Sequence, residues 1–183
     1  MDAAVNREAT RRDTQEIVQR TRNRVAELLA RGASPRETLS QLTSAVEQFA
    51  EGRTVASILV LDREGLLRNG ASPNLPADYL DKIDRLRPHP GLGTCASAAA
   101  TGEVTLTPDF QLDDKWAELR HLPLSIGFRG AWSMPIKGAD GRVLGTFGTY
   151  FRETREPTDA EMRVVADLAP LAAQVIEACA KAR

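Results

Sequence analysis

Apolar residues recur along this chain in more than one rhythm, and each rhythm predicts an element. Between residues 7 and 31 no proline or glycine interrupts, and Ile17, Thr21, Val25 and Leu28 are spaced by four, four and three. That is a narrow apolar stripe on a charged helix, better suited to a two-helix seam than to a globular core. Gly32 stops it. Ser34-Pro35-Arg36-Glu37 then supplies the N-cap, N1 and N3 residues of a second helix, which runs to about Ala50 and buries Leu39, Leu42, Val46 and Phe49. From Thr54 to Leu61 the apolar residues occupy both parities, as in a strand covered on both faces. Asp62-Arg63-Glu64-Gly65 turns the chain, residues 66–71 return as a shorter strand, and Pro73 and Pro76 end it.

Residues 77–86 predict a short amphipathic helix with Tyr79, Leu80 and Ile83 inward. A loop holding Pro88, Pro90, Gly91 and Gly93 leads into a helix of small residues at 94–101, capped by Gly102. Strict alternation marks a third strand at 103–107. Residues 109–126 read as loop and short helix around Trp116, interrupted by Pro123. Strands at 130–137 and 143–152 flank Asp140-Gly141, the strongest hairpin signal in the sequence. A long helix opens at 156–159 and continues to about residue 181, with Met162, Val165, Leu168, Leu171, Ala172, Val175 and Ile176 near the 3.6 period. Hairpins at both ends of the strand set imply a mainly antiparallel sheet with helices on its faces, an α+β fold.

Composition narrows the function classes. A chain of 183 residues fits one domain. At that size folding buries roughly 70% of the unfolded surface, so no covalent or metal staple is needed. A net charge of −1 removes the basic excess that general nucleic-acid binding requires. Arg11, Arg12, Arg20, Arg22 and Arg24 are interleaved with Asp13, Glu16 and Glu27, which reads as a solvated helix face. Cys95 and Cys179 are the two cysteines, too few for a disulfide framework or a zinc site, and they suit a reducing cytoplasm. No apolar leader segment is seen at 1–6, and no run is long enough to span a membrane.

Gly91-Leu92-Gly93-Thr94-Cys95-Ala96 satisfies Gly-x-Gly-x-x-Ala, but the dinucleotide fingerprint needs a buried strand before it. The preceding Asp84-Arg85-Leu86-Arg87-Pro88-His89-Pro90 is no such strand. What survives is a glycine turn that leaves the first helical N–H groups open to a small anion or a carboxylate. The alternative is that Thr94 or water satisfies them and the glycines only allow close packing. Cys95 falls in the first helical turn, a position that lowers a thiol pKa. Redox use would need a resolving cysteine nearby, and Cys179 is expected elsewhere. The competing role is a buried small hydrophobe. Asp109 either orients a ligand or caps its own turn, and Asp113-Asp114 reads as an exposed N-cap. Trp132, Met134 and Ile136 share one strand face and Ala131, Ser133 and Pro135 the other, with the assignment of faces open.

Taken in order, these motifs resemble a GAF domain over about residues 35–178. The carriers are the strand pair around Asp62-Arg63-Glu64-Gly65, then Gly-x-Gly-Thr-Cys-Ala-x-Ala-Ala, then Thr107-Pro108-Asp109, then Trp116, then Gly-x-x-Ala-Trp-Ser-x-Pro-Ile, then Asp-Gly-x-Val-Leu-Gly-Thr-Phe. The resemblance implies an antiparallel sheet of five or six strands, with helices from both chain ends on one face and a ligand pocket on the other. The bilin-binding motif and the cyclic-nucleotide motif of other members are missing. His89 and His121 are expected at the surface rather than as haem ligands. Within the family the expected ligand-binding residues are Gly93, Thr94, Cys95, Asp109, Trp116, Phe128, Trp132, Met134, Phe147 and Tyr150. No catalytic residue, metal or cofactor is assigned.

The expected organisation is a signalling and dimerisation helix at 1–33 followed by a GAF domain at 34–183. The expected function is a cytoplasmic sensory domain of a bacterial signal-transduction protein. It binds a small molecule, pairs as a homodimer through its terminal helices and passes occupancy to a kinase, cyclase or regulator module. Neither nucleic acid nor membrane is an expected partner. Two alternatives stand beside it: a reductase of the free methionine sulfoxide type using Cys95, and a ligand-free dimerisation module.

Overall fold

The computed structural model describes residues 2–181, with side chains from 11 to 180. The leader reading at 1–6 and the continuation of the last helix past residue 181 lie outside the described side chains and residues. In chain order the elements are α1 (Asp2–Ala30), α2 (Pro35–Phe49), β1 (Thr54–Leu61), β2 (Leu67–Ala71), α3 (Ala77–Lys82), α4 (Thr94–Thr101), β3 (Thr105–Thr107), α5 (His121–Ser125), β4 (Gly130–Lys137), β5 (Val143–Phe151) and α6 (Asp159–Lys181), with a 3-10 turn at Asp114–Trp116. The strands form one antiparallel sheet in the order β2-β1-β5-β4-β3.

Register sorts the strand residues into two faces. Ile58 pairs with Phe147, which pairs with Met134; Ala56 pairs with Thr149, which pairs with Trp132. Residues directly opposite point to the same side, so these six share one face. That face meets α2 and α6. Leu39, Leu42 and Val46 of α2 and Val165, Leu168 and Ala172 of α6 pack with Ile58, Trp132, Phe147 and Phe151 in one cluster. The α1 stripe joins the same cluster through Ile17, Val18 and Val25, and α1 packs on both α2 and α6. Its seam is therefore formed inside the chain.

Local signals explain where the helices begin and end. Ser34 Oγ accepts from the Glu37 N–H at 3.1 Å, with Pro35 following at N1. Thr158 and Glu161 exchange reciprocal bonds: the Thr158 N–H donates to Glu161 at 2.8 Å and the Glu161 N–H to Thr158 Oγ1 at 3.2 Å. Arg155 grips both Glu161 oxygens at 2.8 Å, and its guanidinium lies 3.7 Å from the Phe151 ring centre. Pro170 stands inside α6 on its exposed side, as does Ala166, whose carbonyl the proline leaves without a helical donor; water can satisfy it there.

Two elements are shorter than their sequence patterns suggest. The third strand keeps only Thr105–Thr107, and α3 stops at Lys82. In the second case a sheet contact overrides the helical pattern. The Arg85 N–H donates to the Leu67 carbonyl at 3.0 Å, and the Leu67 N–H donates to Leu86 at 2.9 Å. This segment pairs with the outer edge of β2 at Leu67, whose backbone groups would otherwise be unpaired.

Candidate functional site

The opposite face of the sheet carries a different chemistry. Its row across β4, β5 and β1 reads Ser133, Gly148, Ser57; the next reads Pro135, Thr146, Leu59. These positions lie beneath α4, whose small side chains allow close approach; Cys95, Ala96 and Ala99 pack with Leu59. Gly148 is required at the point of closest approach. A Cβ there would lie 2.9 Å from Cys95 Sγ and 3.1 Å from Ser57 Oγ.

The predicted glycine turn joins α4 to the segment that roofs this face. Gly93 has φ +65° and ψ 176°, a backbone state open essentially to glycine alone. Its N–H donates to the Lys115 carbonyl at 2.7 Å, so the first donor of the turn is used within the chain. Trp116 Nε1 donates to Thr94 Oγ1 at 2.9 Å, and Thr94 Oγ1 donates to Thr107 Oγ1 at 2.9 Å. This relay ties the roof, α4 and β3 together. Beside it the aromatic residues pack edge to face: Phe110 on Trp116 at 4.6 Å, and Tyr79 on Tyr150 at 6.0 Å.

Buried polar groups converge here. The Tyr79 hydroxyl donates to that of Tyr150 at 3.3 Å. Burial pushes both phenols far above their usual range, so both stay neutral. The Cys95 thiol is also pushed up, by burial foremost, with the nearby Ser133 and Thr146 hydroxyls offsetting part of the rise. This corrects the expectation that the helix N-terminus would lower it: desolvation outweighs the dipole when no cation is near. Ser57 Oγ and Thr146 Oγ1 are fully buried and have no partner at hydrogen-bonding geometry.

Of the residues predicted from sequence, Gly93, Thr94, Cys95, Trp116, Phe128 and Tyr150 come together on this side of the sheet. Trp132, Met134 and Phe147 do not. They face α2 and α6, because strand alternation places them on the other side from Ser133 and Gly148. Asp109 takes its structural option: Oδ1 accepts from the Gln111 N–H at 2.8 Å and caps the turn. Ser57, Thr146, Ser133 and Tyr79 were not singled out. A lone serine inside the apolar run Thr54–Leu61 was the available signal for the first of them.

Elsewhere, a shallow groove of about 230 Å³ runs between α1 and the end of α2, lined by Asp13, Glu16, Arg20 and Glu51 among others. It contains none of the predicted site residues. Both histidines are exposed, and among the described residues no group of three or more His, Cys, Asp or Glu converges as a metal site would need. Among the same residues no helix is long and apolar enough to cross a membrane.

A family profile described as GAF domain matches residues 32–177. The chain belongs to the GAF domain family. Its sequence is 33% identical over 168 residues to a methyl sulfide methyltransferase-associated sensor from Methanosarcina acetivorans, covering 91% of this chain and 17% of that protein. The chain thus spans about a sixth of that relative's length. The fold resembles the GAF domain of a phosphoenolpyruvate-protein phosphotransferase from Coxiella burnetii, with TM-score 0.74, 19% identity, and 93% and 96% of the two chains covered. It also resembles a free methionine-R-sulfoxide reductase from Neisseria meningitidis in complex with its substrate, with TM-score 0.70, 18% identity, and 93% and 92% covered.

Proposed function

We propose that this GAF domain is a small-molecule sensor whose ligand binds on the α4 side of the sheet, beside α4 and beneath the segment at 109–128. The observation that carries the reading is that the Ser57, Ser133, Thr146, Tyr79 and Tyr150 hydroxyls and the Cys95 thiol gather on that face, with Ser57 and Thr146 lacking a full hydrogen bond. A protein interior leaves few polar groups unpaired, and a cluster of them in one place suits a removable partner. The sensor name of the Methanosarcina relative supports the same direction. In this reading β4 and β5 couple the two faces. Their residues alternate between the ligand side and the α2–α6 side, so occupancy changes the packing of α2, α6 and α1. Output then passes through the terminal helices to a kinase, cyclase or regulator module in the cytoplasm, with homodimer formation through the outward surfaces of those helices.

The test is a thermal-shift screen of small metabolites, followed by hydrogen exchange on α1 and α6 with the best compound. A stabilising compound that alters exchange in both helices supports the reading. A stabilising compound that leaves their exchange unchanged removes the transmission step. Sedimentation finding only monomer at high concentration removes the dimer.

The reductase reading shares a fold with the Neisseria enzyme but lacks support from the cysteines. Cys95 lies on the α4 side of the sheet and Cys179 on α6, across it, and the Cys95 thiol is held in its unreactive form. Reductase turnover by the wild type that is lost in Cys95→Ser would restore it.

A further inference from the structure

We infer that two copies of this chain pair antiparallel along α1, each helix laid against the groove between α1 and the end of α2 in the other copy. The inference rests on the dimer reading above and adds its surface and its orientation. On the flank of α1 beside that groove, Asp13, Glu16, Arg20, Arg24, Glu27 and Arg31 recur at spacings of three and four, so they form one stripe, and all six are exposed. Three of them are satisfied within the chain: Arg24 bonds Glu27 at 3.2 Å, and Arg31 bonds Glu37. The other three are not. Asp13, Glu16 and Arg20 make no ion pair among the described residues, although Glu16 and Arg20 stand one helical turn apart. Glu51, which lines the same groove, is likewise unpaired among those residues. It stands just past the C-terminus of α2 with φ +53°, where neither the backbone nor the helix dipole favours a carboxylate. Folding alone does not account for it.

The free charges change sign along the helix, acidic at Asp13 and Glu16 and basic at Arg20. A second α1 running the opposite way sets its Arg20 against Glu16 and its Glu16 against Arg20. It also brings its Arg24 toward Asp13 and Glu51. Each contact joins unlike charges, and a two-fold axis makes each occur twice. A second α1 running the same way sets every one of these charges against its own kind. Charges flanking a helix pair govern orientation and partner choice in this manner. Ile17 and Phe49 supply the apolar part of the groove, which the affinity needs because exposed ion pairs add little of their own.

Sedimentation equilibrium of the full chain at low ionic strength tests the proposal. Wild-type protein should dimerise. Glu16→Arg and Arg20→Glu should each raise the dimer Kd about tenfold or more, since each turns two attractive contacts into repulsive ones. The double variant Glu16→Arg/Arg20→Glu restores unlike pairs in the antiparallel arrangement and should recover the wild-type Kd, with the Tm of every variant close to that of the wild type. A dimer that neither single reversal weakens overturns the antiparallel surface and leaves the dimer reading intact. Weakening by the single reversals without recovery in the double variant also overturns it, because the two residues then act separately. A wild type that stays monomeric at high concentration overturns the dimer reading and this orientation together.

Discussion

The two faces of one sheet differ in what their side chains can do. On the α2–α6 side, Trp132, Phe147, Phe151 and Ile58 interlock with helix residues in a continuous apolar core. On the α4 side the same strands carry Ser133, Thr146, Ser57 and Tyr150, and the covering helix is built from small residues. Unsatisfied polar atoms occur on both sides, so burial alone does not separate them. On the helix side Thr54 Oγ1, Trp132 Nε1 and Thr149 Oγ1 lack partners and lie among apolar side chains. On the α4 side the unpartnered groups lie among further hydroxyls and a thiol. The sides differ in what surrounds those groups: large apolar side chains on one, small residues, hydroxyls and a thiol on the other.

The comparison is sharpened first by truncating the helix side. Leu168→Ala should destabilise the domain by about 2–5 kcal/mol, measured by urea unfolding, with ligand preference unchanged. An altered ligand preference would break the separation of the two faces. Next is Gly93→Ala, which forces a side chain into a backbone state that favours glycine, with the new methyl in ordinary contact with Trp116; about 1–3 kcal/mol of stability should be lost together with ligand affinity. Unchanged affinity would detach the glycine turn from the site.

Smaller effects come from the α6 cap. Burial opposes ionisation of Glu161, but the Arg155 fork and the Thr158 N–H outweigh it, and the net effect is a carboxyl below its ordinary range. A depressed carboxyl contributes stability that is present above the unfolded-state pKa and is lost as pH falls through the folded value. Glu161→Gln should therefore cost about 1–2 kcal/mol at neutral pH and flatten the acid limb of the Tm profile below about pH 4. An acid limb identical to that of the wild type would remove this group from the acid response. The smallest stability change, within about 1 kcal/mol, is expected for Thr146→Val and Thr149→Val. Three residues apart on one strand, they lie on opposite faces. Only the first should weaken ligand binding, as calorimetry would register.

Most of the architecture could be read from the chain, because its signals are local. Ser34 with Glu37, Gly102 and Asp140-Gly141 each fix a boundary through one cap or one turn, and the structure has all three. Long-range choices were less legible. Nothing in 130–137 says which parity meets the helices, since both faces of β4 are buried; only the register places Trp132 and Met134 on the helix side. The α1 stripe indicates a helical partner but not whether that partner belongs to the same chain. Cys95 shows two opposed influences on one group, the helix terminus and desolvation, of which sequence position exposes only the first. Ser57 and Thr146 gain meaning only once register sets them under α4.

Intermolecular nuclear Overhauser contacts between a bound compound and the protein test the central claim most directly. The account predicts contacts to the Thr146 methyl, the Cys95 methylene and the Tyr150 ring, and none to Trp132 or Phe147. Contacts to the Trp132 indole or the Phe147 ring, with none to Thr146, would place the ligand among the helices and contradict it.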